Sequence, residues 1–114
     1  MNNSNIIKKY VFLGDTDSIN IEIIAKSHNY LKKKIQYVVI GNKKELKEYL
    51  IKIKLDIKVN EITDPISFKN YKKTCINIFN TENIHKEKYR NLLNQINLSN
   101  ELSCITKFDL ITMP

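Results

Sequence analysis

A chain of 114 residues with 42% apolar side chains suits one globular domain, long enough to bury about two thirds of the surface that its unfolded form exposes, and this excludes a disordered tail. The net charge of +7 points toward nucleic acid, but the positive side is eighteen lysines and the single Arg90, and arginine is the usual reader of phosphates and base edges. Lys, Ile and Asn fill 52 of the 114 positions, the mark of an AT-biased coding sequence, and the ten lysines from Lys26 to Lys58 interleave with apolar helical positions as on a solvated face, so nucleic acid is not the expected partner.

Along the chain, apolar runs alternate with helical stripes. Tyr10 to Leu13 reads as a first strand. Ile19 to about Lys33 reads as a helix with its stripe at Ile24, Ser27, His28 and Leu31, Ser18 as N-cap, Glu22 in the first turn and Lys32 to Lys34 closing the last, all with the sign the helix dipole favours. Ile35 to Ile40 is a nearly unbroken apolar run, the pattern of a strand buried on both faces of a parallel sheet. After Gly41 and Asn42, Leu46, Tyr49, Leu50 and Ile53 mark an amphipathic helix. Ile57 to Ile62 is a third strand, stopped by Asp64 and Pro65, and Thr74 to Phe79 a fourth. Tyr89, Leu92, Leu93 and Ile96 repeat the helical spacing; the stretch from there to Thr106 fits either helix or loop, and Phe108 to Thr112 is a fifth strand. Strands separated by helices of ten to fifteen residues mean βαβ units, so the expected fold class is α/β, an open, mainly parallel sheet with helices on both faces, in a single domain over residues 1–114.

In such sheets ligands sit beyond the carboxyl ends of the strands, here Gly14 to Ser18, Gly41 with Asn42, and Thr112 to Pro114. The chain has only two glycines, so neither the GxGxxG dinucleotide loop nor the GxxxxGK phosphate loop can be built. Cys75 and Cys104 lie without a CxxC or a histidine at ligand spacing and read as reduced thiols. His28 falls on the apolar helix stripe and reads as a core or boundary residue. No run approaches the length that crosses a bilayer, and a cytoplasmic location without a membrane partner is expected.

The loop "GDTDSINIE" from Gly14 to Glu22 has two chemical readings. As a DxDxS loop after an apolar strand it resembles the nucleophile loop of haloacid-dehalogenase-type phosphatases, with Asp15 as nucleophile, Asp17 as acid and base, and a magnesium ion. That family also uses a pair of acids at a later strand end, and the acids after Asp64 (Glu82, Glu87, Glu101 and Asp109) are not so paired.

The other reading covers far more of the chain. Gly14, Asp15, Ile19 and Glu22 match the Gly-Asp-Pro-Ala-Gly-Ile-Gly-Pro-Glu signature of the 4-hydroxythreonine-4-phosphate dehydrogenases of vitamin B6 synthesis. "AKSHNYL" is similar to that family's first helix, "VVIGNKKELKEYLIKIKLDIKV" to its second strand, turn and second helix, and "FDLITMP" to its Val-Thr-x-Pro strand end. Thr16, Asp17, Ser18, Asn20 and Ile21 depart from the signature, removing two glycines and two prolines from the loop.

The resemblance implies an isocitrate/isopropylmalate dehydrogenase-like fold, incomplete here as an N-terminal part. It also implies oxidation of 4-phosphohydroxy-L-threonine by NAD or NADP with a divalent metal, in a homodimer. Gly14, Asp15, Glu22 and Thr112 are then the active-site loop candidates. The family's His-Thr substrate pair, its metal-binding histidines and most of its cofactor site belong to sequence that follows the Thr-x-Pro end. No metal, cofactor or catalytic residue is therefore assigned within the 114, which are expected to be inactive alone, and a small non-catalytic binding domain stands beside the phosphatase as the alternative.

Overall fold

The computed structural model describes residues 6–14, 19–82 and 87–111. In chain order these form β1 (Lys8–Phe12), α1 (Ile19–Leu31), β2 (Gln36–Gly41), α2 (Lys43–Lys52), β3 (Val59–Glu61), β4 (Ile76–Asn80), α3 (Lys88–Thr106) and β5 (Asp109–Ile111). The five strands make one sheet in the order β3-β4-β2-β1-β5, and every pairing is parallel. The expected α/β class and all five strands are present, with shifted ends.

Alternation along the central strands sends side chains to two separate cores. Val11, Tyr37, Val39, Ile76 and Ile78 point to one face, where Ile24 and Ala25 of α1 and Leu46 and Leu50 of α2 cover them. Tyr10, Val38 and Ile40 point to the other, where Leu98 and Leu102 of α3 meet Ile62, Phe68 and Tyr71 from the connection between β3 and β4. Both faces of β2 are thus buried, which is why its sequence is an unbroken apolar run rather than an alternating one.

Two elements differ from their sequence patterns. β1 begins at Lys8, earlier than the apolar run, because both lysines can lie in a strand while their ammonium groups reach outward. Lys8 Nζ lies 5.3 and 5.7 Å from the ring centroids of Phe68 and Phe108, and Lys9 Nζ meets Asp109 Oδ2 of β5 at 3.0 Å. α3 is one continuous helix of 19 residues, so the stretch up to Thr106 is helical. Its buried line is Asn91, Gln95, Ser99 and Leu102, while Tyr89 and Leu93 of the apparent apolar stripe stand in solvent.

The connection between β3 and β4 has no helix. Asp64 organises its turn: one carboxylate oxygen accepts from the Ile66 and Ser67 amides and the other from the Ser67 hydroxyl. Those bonds hold the Asp64 carboxyl below its ordinary pKa, the Ile66 amide contributing most. Asn77, fully buried in β4, ties the segment down by bonding the Lys72 amide and carbonyl and the Cys75 carbonyl.

Candidate functional site

The connections leaving β1 and β2 run to the α1/α2 face, whereas those leaving β3 and β4 run to the α3 face. Since β4 and β2 are neighbours, their outgoing connections leave side by side on opposite faces of the sheet, and the carboxyl ends of β2 and β4 lie together. The residues there are Gly41 and Asn42 after β2, and Asn80, Thr81 and Glu82 after β4.

These two strand ends are knitted by a compact set of hydrogen bonds. The Thr81 amide donates to the Gly41 carbonyl at 2.8 Å, and the Asn42 side-chain amide donates to the Thr81 carbonyl at 2.9 Å. Asn42 Oδ1 also accepts from the Glu45 amide at 3.1 Å and so caps α2. Asn80 Oδ1 accepts from the Lys43 amide at 2.8 Å, and its Nδ2 donates to Glu82 Oε1 at 2.9 Å. Two of the first-turn amides of α2 are therefore already occupied by asparagine oxygens, which weakens this helix end as an anion site.

Beside the knot lies a groove of about 840 Å³, within the size range of small-molecule sites. Lys44, Lys47, Glu48 and Ile51 of α2 form one wall and Asn80 and Glu82 the other, so the lining carries both signs of charge. Lys43, at its rim, reaches Glu61 Oε1 at the end of β3 over 3.4 Å.

The four candidates from the sequence are placed unequally. Gly14 follows β1 at its carboxyl end, buried, with φ at +70°, a conformation that costs an L side chain strain. Glu22 lies in the first turns of α1, where its Oε1 pairs with Lys26 Nζ of the same helix at 2.7 Å. Asp15 and Thr112 lie outside the described residues, as do Asp17 and Ser18. Ile111, the residue before Thr112, is the register partner of Val11, so β5 ends beside β1.

Sequence reasoning passed over Asn80 and Thr81 and weighed Glu82 only as an unpaired acid. The available signal was that they follow an apolar run at the same end of the sheet as Gly41, but their pairing with Asn42 depends on β4 lying beside β2, which no local pattern reveals. Gly41 itself is needed for room and not for a left-handed backbone. It is absent from the positive-φ residues, and a Cβ built on it would come within 2.4 Å of Leu13 Cβ.

Among the described residues no group of three or more His, Cys, Asp or Glu is arranged to hold a metal ion, and no helix is long and apolar enough to cross a membrane.

No protein-family model matches this sequence, and no curated protein matches it. Among solved structures, the chain is similar to the X-ray structure of a 4-hydroxythreonine-4-phosphate dehydrogenase from Burkholderia phymatum, with a TM-score of 0.80 and 20% sequence identity. The likeness covers 97% of this chain and 37% of the other, so the 114 residues span little more than a third of that dehydrogenase, and across that span they share its α/β fold.

Proposed function

We propose that the chain is the N-terminal α/β part of a 4-hydroxythreonine-4-phosphate dehydrogenase, a cytoplasmic enzyme that oxidises 4-phosphohydroxy-L-threonine with NAD or NADP in pyridoxal phosphate synthesis. The observation that carries this reading is the structural likeness over 97% of the chain, reached independently of the four sequence landmarks that point the same way. The acid-base phosphatase reading has no comparable support and is not favoured.

The metal implied by this reading finds no donor set among the described residues, so no step is assigned to it here. What this chain would contribute is a wall of the site. Gly14 lets the backbone at the end of β1 come close to a substrate without a side chain in the way, and the knot around Asn42 fixes the neighbouring strand ends. The nicotinamide cofactor, the divalent metal and the partner subunit of a homodimer would be held chiefly by residues beyond these 114.

The reading is tested by sequencing the DNA that follows the Pro114 codon and assaying the whole protein. Histidine-rich dehydrogenase sequence downstream, together with substrate-dependent formation of NADH or NADPH that requires a divalent metal, is the expected result. The 114 residues alone should reduce neither cofactor. Unrelated downstream sequence, or magnesium-dependent phosphate-ester hydrolysis abolished in Asp15→Asn, would overturn it.

A further inference from the structure

Among the described side chains of α1, those packed against the sheet are Ile24, Ala25 and His28, with Leu31 partly buried behind them. Of these His28 alone can acquire a charge, and it is only 2% exposed. Its Nδ1 lies 2.7 Å from the Tyr37 hydroxyl of β2, itself buried, and its Nε2 has no hydrogen-bond partner. A neutral ring tolerates this arrangement, because Nδ1 and the phenol can share one proton in either direction. A protonated ring must donate from both nitrogens, and only Tyr37 stands in hydrogen-bond geometry to accept.

The surroundings of the ring offer little compensation. Burial is the main influence disfavouring its protonated form, and Lys32, just past the end of α1, adds a charge of the same sign. The Thr74 backbone, on the segment leading into β4, favours the proton somewhat but stands outside hydrogen-bond geometry to Nε2. From β2 the facing group is the Tyr37 phenol, which burial holds protonated. From α2, Tyr49 acts on Lys26 of α1.

We propose that His28 is an acid-sensitive latch: protonating its imidazole releases α1 from the sheet. The sign follows from linkage. The folded ring binds its proton more weakly than the ordinary value of 6.5, so the released state takes up more protons, and opening becomes easier as pH falls below that value. Above it the latch is fully closed. Each pH unit in the window multiplies the opening equilibrium by up to about ten, the limit for one proton. If Glu22 of α1 borders an active site, as the resemblance behind the proposed function implies, that site loses its geometry in acid before the α3 face of the sheet is disturbed.

The test is amide hydrogen exchange on the 114-residue chain between pH 7.5 and 5, corrected for intrinsic rates. The expected result is α1 opening that rises by up to about ten-fold per pH unit below the ordinary histidine value, with α3 protection unchanged and with the rise absent in His28→Gln. A flat α1 profile, an identical rise in His28→Gln, or α1 and α3 opening together would overturn the proposal. Should the variant not fold, NMR titration of the His28 ring in the wild-type chain decides it: a folded-state midpoint at or above 6.5 refutes the latch. None of these readouts depends on dehydrogenase activity, so they separate this inference from the functional one.

Discussion

The two glycines of the chain solve different problems. Gly41 is needed for room: any Cβ there would lie 2.4 Å from Leu13 Cβ and 2.5 Å from Leu13 Cδ2, in a core with nowhere to move. Gly14 is needed for conformation, with φ at +70° and its nearest obstacle a Phe12 ring carbon at 3.3 Å. Gly41→Ala should therefore cost about 3 kcal/mol or more through overpacking, and Gly14→Ala only about 1–2 kcal/mol through strain. Urea unfolding of the two variants side by side checks the order, and equal losses would contradict it.

The elements were legible where burial and apolarity coincide. In α2, Leu46 and Leu50 are buried and Tyr49 and Ile53 pack beside them, the stripe that the spacing predicts. In α3 the helix was foreshadowed by spacing, but its inner face was not, because Asn91, Gln95 and Ser99 are the buried residues of its first turns. Ser99 satisfies its hydroxyl on the Gln95 carbonyl one turn back, a solution invisible to a hydrophobic pattern. For the site, the glycine-containing strand ends were readable from the sequence, whereas the partner strand end at Asn80 needed the strand order. The Asn42 knot gives a test at this scale. Asn42→Ala loses both the α2 cap and the tie to Thr81 and should cost about 2 kcal/mol, whereas Asn42→Asp keeps the cap oxygen, loses the donor and should cost less. Equal destabilisation by the two variants, measured by thermal unfolding, would show that the cap contributes nothing.

At the scale of the whole molecule, the two thiols report on global opening. Cys104 is exposed near the end of α3, and Cys75 is buried where the chain enters β4. One equivalent of an aromatic disulfide reagent should react at once under native conditions, and the second only at the rate of opening of the β4 region. Two fast equivalents would mean that the connection before β4 is less firmly seated than Asn77 implies.

The parallel pairing of β1 with β5 joins segments about one hundred residues apart, with Lys9 opposite Asp109, Tyr10 opposite Leu110 and Val11 opposite Ile111. Tension applied by gripping the chain before β1 and after β5 would pull these adjacent parallel strands in opposite directions along their length. The ladder between them is then loaded in shear, with all its hydrogen bonds and the Lys9–Asp109 ion pair bearing force together instead of parting one at a time. A fold whose edge strand is only three residues long thus carries a mechanical clamp across its first and last described strands, and it should resist stretching in that direction far better than peeling of β5 from its amino end.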